Sequence, residues 1–183
     1  METINQGTAA QRQYLTYFLA DEEYGINIQQ VKEIIEYTAI TKVPKVPRWI
    51  RGVINLRGNV VPVVDLAVRF GLEERPITKT SCIIIVEVQQ ETEKTVMGVI
   101  ADAVNQVIVL APEEIEQPPA FGTRVRLEYL AGMGKLGKKF ALILNIDRVL
   151  SAAELLTVSG LHGELDAPAA EATVHEAAVT QEA

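Results

Sequence analysis

The chain has 183 residues, of which 48% are hydrophobic and 22% charged, a composition typical of folded globular proteins rather than disordered ones. Seventeen Lys and Arg against twenty-four Asp and Glu give a formal net charge of −7, which argues against a surface built to bind nucleic acid or an anionic membrane. One cysteine, no signal-peptide pattern and no apolar run of membrane-spanning length predict a soluble intracellular protein without an internal disulfide.

The first third of the chain predicts a hairpin, a short helix and a connector. Residues 14–19 and 24–28 are strand-like and flank a polar turn at 21–23. Apolar residues at helical spacing then predict a short helix over 28–36. Residues 41–47 contain two prolines, which remove backbone donors, so this segment is an extended connector rather than a central strand.

A second predicted hairpin follows, with strands at 53–56 and 60–64 around a turn at 57–59 that has Gly-Asn at its tip. Asp65 is placed to cap a short helix over 66–70, and Gly71 to end it.

The second half of the chain predicts more strands. The apolar, β-branched runs are residues 82–88, 95–100, 106–110, 125–130 and 140–146. A capping box at 151–154 predicts a closing helix. Roughly ten short strands with few helices indicate an all-β barrel or sandwich rather than alternating βαβ units. Two barrels fused through a shared apolar seam fit the length.

The C-terminal tail differs in composition from the rest. From Leu161 onward it has five acidic residues, no Lys or Arg, many alanines and no sustained apolar period. This pattern predicts a flexible, solvated appendage, with a docking peptide as the alternative. Both histidines, His162 and His175, lie in this tail. The body therefore lacks the histidine that Ser-His-Asp and Cys-His catalysis and Cys/His zinc sites require, although carboxylate or lysine catalysis stays open.

Three features of the body resemble sites but have structural explanations. Residues 132–137 match G-x-G-x-x-G, but a strand-like run follows where a phosphate-binding helix should begin, so we predict a glycine-rich hairpin turn and no nucleotide site. Asp102 has no second acid near it in sequence and is predicted to bond backbone amides at a strand end, while Cys82 starts a buried strand.

The tetrapeptide Asn55-Leu56-Arg57-Gly58 is the most distinctive polar motif of the body. Gly58 supplies the positive φ of a turn, and Arg57 places a cation with five donors beside an apolar hairpin. From the chemistry of the residue alone, we predict that the Arg57 side chain is solvated.

Ordered blocks of the sequence resemble the CheW family of bacterial chemotaxis coupling proteins. They are FLADEEYGINI (18–28), VKEII (31–35), GVINLRG (52–58), VPVVDL (61–66), GVIADAV (98–104) and the segments 129–132 and 144–147. The resemblance spans about residues 13–155 and leaves a flexible N-terminus at 1–12 and the acidic tail at 156–183. It implies two SH3-like five-stranded β-barrels packed around a shared core, possessing no catalytic activity, cofactor or metal.

The resemblance also implies two partners: the cytoplasmic tip of methyl-accepting chemoreceptors, which is a helical hairpin, and the regulatory domain of the histidine kinase CheA. It implies a cytoplasmic protein recruited to membrane-associated receptor arrays. Carried over by motif, the receptor-contact residues are Ile28, Val31, Glu33 and Arg57. The kinase-contact residues are Ile40 and Val43, with a second contact near Glu116 and Phe121. A CheW-like adaptor in a non-chemotaxis pathway and a nucleic-acid-binding barrel are the alternatives.

Overall fold

A computed structural model describes residues 11–90, 92–119 and 125–149, and this part of the chain is mostly β-structure. The strands are β1 (Arg12–Leu19), β2 (Glu22–Asn27), β3 (Val31–Glu36), β4 (Ile50–Leu56), β5 (Asn59–Val64), β6 (Cys82–Gln90), β7 (Glu93–Ala101), β8 (Ala103–Leu110), β9 (Ile115–Glu116), β10 (Leu130–Leu136) and β11 (Lys139–Leu144). The helical elements are α1 (Leu66–Arg69), α2 (Ile146–Val149) and 3₁₀ turns at Ile28–Gln30, Pro112–Glu114 and Leu127–Tyr129.

The strands form two mixed sheets, each the wall of one SH3-like barrel lobe. The six-stranded lobe has the order β8-β1-β2-β11-β10-β9, and the five-stranded lobe has the order β3-β6-β7-β5-β4. The N-terminal hairpin joins the C-terminal strands through the parallel pairing of β2 with β11. The chain therefore starts in one lobe, builds the other from β3 to β7, and returns.

Three apolar cores result, and strand β6 shows how they are separated. Its side chains alternate in direction, so Ile83 and Ile85 fill the five-stranded barrel while Ile84 and Val86 face the other lobe. All four are fully buried, because the strand has a core on each face. The largest cluster, which we call the interlobe core, draws residues from both sheets, and a smaller cluster around Tyr14 fills the six-stranded barrel.

The interlobe core is reinforced by polar and aromatic contacts. Tyr17, Tyr24, Phe70 and Tyr129 form a row with ring centroids 6.0 to 6.2 Å apart. On α2, one carboxylate oxygen of Asp147 accepts hydrogen bonds from the Gln89 backbone N–H at 2.8 Å and from the Gln30 side chain at 3.1 Å. These contacts fix the orientation of the two lobes.

The connector after β3 completes the five-stranded barrel. Thr41 and Val53 exchange backbone hydrogen bonds of 2.9 Å, which joins the connector to β4. Gly52 makes this approach possible: it has φ +141°, and a Cβ there would overlap the Thr41 carbonyl.

Most predicted elements are confirmed, including both hairpins and helix α1. The side chain of Asp65 accepts the Val68 N–H at 3.2 Å as the N-cap, and Gly71 follows the helix with φ +79°. Asp102 bonds a backbone amide as predicted, accepting the Ala20 N–H at 2.9 Å.

The predicted helix over 28–36 is wrong. Only Ile28–Gln30 forms a 3₁₀ turn, and Val31–Glu36 is strand β3, paired antiparallel with β6. Val31, Ile34 and Ile35 suit a helical spacing, but they are β-branched and pair with an apolar strand some fifty residues downstream. The tertiary partner therefore overrides the local spacing.

Smaller predictions also need correction. The turn of the second hairpin, between β4 and β5, has Arg57-Gly58 at its tip rather than Gly-Asn. The predicted strand at 125–130 is a 3₁₀ turn that leads into β10, and β11 ends before 146. Gly132 and Gly134 lie within β10, so only Gly137 belongs to the hairpin turn, and a strand follows it. The predicted helix at 151–154, Phe121 and the tail lie outside the described residues.

Candidate functional site

The turn between β4 and β5 is rigidly built from the Asn55–Gly58 motif. Arg57 has φ +52° and Gly58 φ +84°, the backbone pattern of a tight two-residue hairpin turn. The Asn55 side chain accepts the Gly58 N–H at 2.9 Å, which closes the turn locally. The motif therefore presents Arg57 at a fixed point above the barrel.

Arg57 reaches across to strand β3 and binds Glu33 with both arms of its guanidinium. Its Nη1 donates to Glu33 Oε1 at 2.9 Å, and its Nη2 donates to Oε2 at 2.7 Å. This contact raises the pKa of the Arg57 guanidinium, chiefly through the Glu33 hydrogen bond. The Arg57 side chain is 75% exposed, so the pair is a surface feature that orders the hairpin against β3. The expected solvated arginine thus has a partner within the chain.

Beside this pair lies a cleft of about 650 Å³ between β3, the β4–β5 turn and the β6–β7 hairpin, which we call the hairpin cleft. Its floor is apolar, and its rim is charged. The floor residues are Leu56, Val61, Ile85 and Val96, and the rim residues are Lys32, Glu33, Arg57, Glu93 and Lys94. Glu87 of β6 pairs with two of the rim lysines, Lys32 at 3.0 Å and Lys94 at 3.1 Å, and both contacts lower the pKa of its carboxyl.

The structure separates the four predicted receptor-contact residues into two pairs. Glu33 and Arg57 meet at the rim of the hairpin cleft. Ile28 and Val31 are half-buried and pack against the interlobe core instead. An irregularity in the pairing of β3 with β6 between Val31 and Glu33 turns their side chains to different sides of the sheet.

A second cleft, of about 420 Å³, lies along the connector between β3 and β4, and we call it the connector groove. It contains two of the predicted kinase-contact residues, Ile40 and Val43, which are half-buried. Ile40 packs against the five-stranded barrel core and Val43 against the interlobe core. The groove also contains four further apolar residues and three cationic ones: Tyr37, Val46, Pro47, Ile50, Lys42, Arg48 and Arg51.

The cations of the connector groove all act on the carboxylate of Glu74. Arg51 forms an ion pair with Glu74 and lies 3.9 Å from Asp65. The pKa of Glu74 is lowered, chiefly by its hydrogen bond with Arg51 and also by the charges of Arg48 and Lys42. Positive charge therefore exceeds negative charge along this groove.

The other predicted kinase contact lies on the six-stranded lobe. Glu116 is on the two-residue edge strand β9, paired opposite Met133 of β10, and its carboxylate binds Lys135 at 2.6 Å. Its predicted neighbour Phe121 falls in the undescribed segment 120–124. The predicted kinase contacts are thus divided between the two lobes.

Within the described part of the chain, no cluster of three or more His, Cys, Asp or Glu residues could hold a metal ion. Cys82 is buried, and burial raises the pKa of its thiol. Residues 11–90, 92–119 and 125–149 contain no helix long and apolar enough to cross a membrane. What the two clefts offer is shape and charge: apolar floors with charged rims, suited to holding polypeptide.

The sequence matches the CheW-like domain family over residues 13–154. The chain belongs to the CheW family. It is 34% identical to the chemotaxis protein CheW of Klebsiella aerogenes over 155 residues, covering 85% of this chain and 91% of that protein. It is 30% identical to the chemotaxis protein CheW of Treponema pallidum over 151 residues, covering 82% and 89% respectively.

Among solved structures, the crystal structure of the scaffolding protein TtCheW from Thermoanaerobacter tengcongensis is similar to this chain. The TM-score is 0.71 at 33% sequence identity, with 84% of this chain and 96% of that chain covered. Fold and sequence together identify this CheW-family chain as a chemotaxis coupling adaptor, a family of scaffolds rather than enzymes. They do not favour the nucleic-acid-binding or non-chemotaxis alternatives.

The sequence reasoning missed the cations of the connector groove and the Glu87 ion pairs. A signal for the first was present in the repeat Lys-Val-Pro-Lys-Val-Pro-Arg at 42–48. Its valines, Val43 and Val46, pack on the interlobe core, while its cationic residues are exposed. The Glu87 ion pairs depend on β3 being a strand beside β6, so the predicted helix concealed them.

Proposed function

We propose that this CheW-family chain couples the cytoplasmic tips of methyl-accepting chemoreceptors to the regulatory domain of the histidine kinase CheA. It would do so in the cytoplasm, at receptor arrays associated with the membrane. The coarser role, a chemotaxis adaptor that interacts with signalling proteins, rests on family membership. The identity of the two partners and their docking surfaces is the proposed part.

The hairpin cleft is the proposed receptor surface. The apolar face of a helix can lie on the cleft floor of Leu56, Val61 and Ile85 while its polar residues meet the charged rim. The Glu33–Arg57 pair holds the rim in place before the helix arrives, which reduces the ordering cost of binding. Ile28 and Val31 precede the rim residues Lys32 and Glu33 in sequence, and their packing against the interlobe core supports the start of β3.

The connector groove, with Ile40 and Val43, is the proposed first kinase surface, and the β9 edge at Glu116 is the proposed second one. Half-buried apolar side chains on an extended connector make a contact that is partly organised before binding. Among the described residues, β9 is an edge strand of the six-stranded sheet, paired on one side with β10. Kinase domains could thus approach the adaptor from two directions.

The observation that carries the proposal is the position of both clefts on one barrel that is locked to the other by the interlobe core. The strands behind the clefts, β4 to β7, also contribute Ile50, Val64 and Ile84 to that core. Because protein interiors are close-packed, such a body moves as a rigid unit, and a displacement at one cleft is passed on to the other. A coupler needs this property, since it must hold two partners in a fixed relative geometry.

The test is a pair of single substitutions assayed against both partners. Arg57→Ala should weaken binding of a receptor-tip fragment about tenfold and leave binding of the CheA regulatory domain unchanged. Val43→Ala should do the opposite, because Val43 lines the connector groove and not the hairpin cleft. Binding constants for all four combinations would be measured by titration calorimetry.

Lys138→Ala in the exposed turn between β10 and β11 is the matched control, and it should bind both partners like the parent. All variants are first required to melt like the parent, so that unfolding cannot imitate lost binding. If folded Arg57→Ala and Val43→Ala bind both partners normally, the proposed surfaces are wrong. If each loses the partner assigned to the other, the assignment is reversed.

A further inference from the structure

The connector groove combines an apolar floor with an excess of positive charge. Lys42 and Arg48 are exposed at the groove, and Lys45 of the same connector is exposed as well. The charges of Arg51, Arg48 and Lys42 all act on the carboxylate of Glu74. Glu74 forms its ion pair with Arg51, so it does not neutralise Arg48 and Lys42 as well. A ligand for such a groove is an acidic segment that also carries apolar side chains.

The chain itself contains a segment of that composition. Residues 150–183 hold six acidic residues and no Lys or Arg, together with apolar residues such as Leu155 and Leu156. The acidic residues are Glu154, Glu164, Asp166, Glu171, Glu176 and Glu182. No other stretch of this length in the sequence is free of Lys and Arg.

The tail follows an element of the interlobe core, which the connector also contacts. Val149, the last described residue of α2, is fully buried in the interlobe core. Ile50 belongs to the same core, and Val43 and Val46 pack against it from the connector. An extended chain spans about 3.3 Å per residue, so even part of the 34-residue stretch 150–183 can reach from α2 to the groove.

We propose that the acidic C-terminal segment, residues 150–183, docks on the connector groove of its own chain. Its carboxylates meet Lys42, Lys45 and Arg48, and its leucines lie against Val43 and Val46. Each exposed ion pair contributes little by itself, so the contact is weak, reversible and sensitive to salt. Tethering compensates for the weakness, because a linked ligand is present at high effective concentration.

The tail would then compete with any partner that uses the connector groove. This consequence depends on the kinase surface proposed above, but the docking itself does not. The experiment below contains no kinase, so a failure of tail docking and a failure of the kinase assignment can be told apart.

The test compares the full-length chain with a variant whose six tail carboxylates are replaced by amides. Amide chemical shifts are recorded by two-dimensional NMR, with zero-length carbodiimide cross-linking and peptide mapping in parallel. The differences in chemical shift between the parent and the amide variant should concentrate in residues 37–51. At high salt the parent spectrum should become like that of the variant in this region. Within the monomer, cross-links should join tail carboxylates to Lys42 and Lys45 and should be lost in the amide variant.

Two charge reversals provide the matched comparison. Arg48→Glu keeps both cross-linkable lysines but reverses a groove charge, so cross-linking at Lys42 and Lys45 should fall. Lys138→Glu changes the charge by the same amount on the six-stranded lobe and should leave the cross-links intact. The proposal is overturned if no groove shift changes, if cross-links favour Lys138 and Lys139, or if they form only between chains, which would indicate a second copy as the occupant.

Discussion

At the scale of single residues, the most informative side chains are carboxylates that the fold holds in place. Glu33 receives both arms of Arg57, Asp147 joins α2 to β6, and Asp65 caps α1 from a buried position. Their shared role is positional: each fixes one segment of backbone against another.

Asp65 gives a prediction about pH. Burial is the largest influence on its carboxyl and raises its pKa above the ordinary value of 3.8, although hydrogen bonds and Arg51 act in the opposite direction. An acid with a raised folded-state pKa contributes stability that is full below its unfolded pKa and is lost as pH rises through the folded pKa. Asp65→Asn keeps an N-cap acceptor but does not titrate.

We therefore expect the free energy of unfolding of Asp65→Asn, relative to the parent, to increase as pH rises from below 3.8 to neutrality. Urea unfolding at a series of pH values measures it. Glu73→Gln, the same acid-to-amide change at a neighbouring exposed position, is the matched control. A relative stability that declines with rising pH would mean that the ion pair with Arg51 outweighs burial. Asp65→Ala should lose about 1 kcal/mol at neutral pH through the missing cap.

At the scale of elements, two glycines test different parts of the five-stranded barrel: Gly52 lies within β4, and Gly58 lies in the turn that follows it. Both have positive φ, but a Cβ at Gly58 meets nothing within 4 Å, whereas a Cβ at Gly52 overlaps the Thr41 carbonyl. Gly58→Ala should therefore cost about 1 kcal/mol, from backbone strain alone.

Gly52→Ala should cost about 3 kcal/mol or more, because strain is added to separation of the connector from β4. Urea unfolding measures both costs, and amide exchange at Val53 reports whether the Thr41–Val53 bridge has opened. Equal costs for the two substitutions would show that the bridge contributes nothing to the barrel.

The success of sequence prediction also differs by element. The hairpins and α1 were predictable because their signals are local: Gly58 and Gly71 after apolar runs, and Asp65 before a helix. Strand β3 was not, since its apolar residues suit two periodicities and its partner β6 is distant in sequence. The Glu33–Arg57 pair could be placed only after β3 was known, so the composition of the site was predictable but its geometry was not.

At the scale of the whole molecule, the largest apolar cluster is the one between the lobes rather than inside either barrel. The path of the chain also links the two lobes, because β1 and β2 are separated in sequence from their sheet neighbours β8 to β11 by the whole of the five-stranded lobe. The six-stranded lobe can therefore be completed only after the chain has passed through the five-stranded one. We infer that the described body unfolds as one cooperative unit.

Adjacent residues of β6 test this inference. Ile84 faces the interlobe core and Ile85 the five-stranded barrel core, and both are fully buried, so replacing either by alanine should cost about 2–5 kcal/mol. In each variant, the urea midpoint seen by the single tryptophan, Trp49 in the interlobe core, should match the midpoint from amide exchange in β10 and β11. Ile77→Ala, at a position 44% exposed, is the control and should leave both midpoints unchanged. If Ile85→Ala shifts the tryptophan transition but leaves exchange in the six-stranded lobe at the parent value, the lobes unfold separately and the rigid coupling proposed for this body fails.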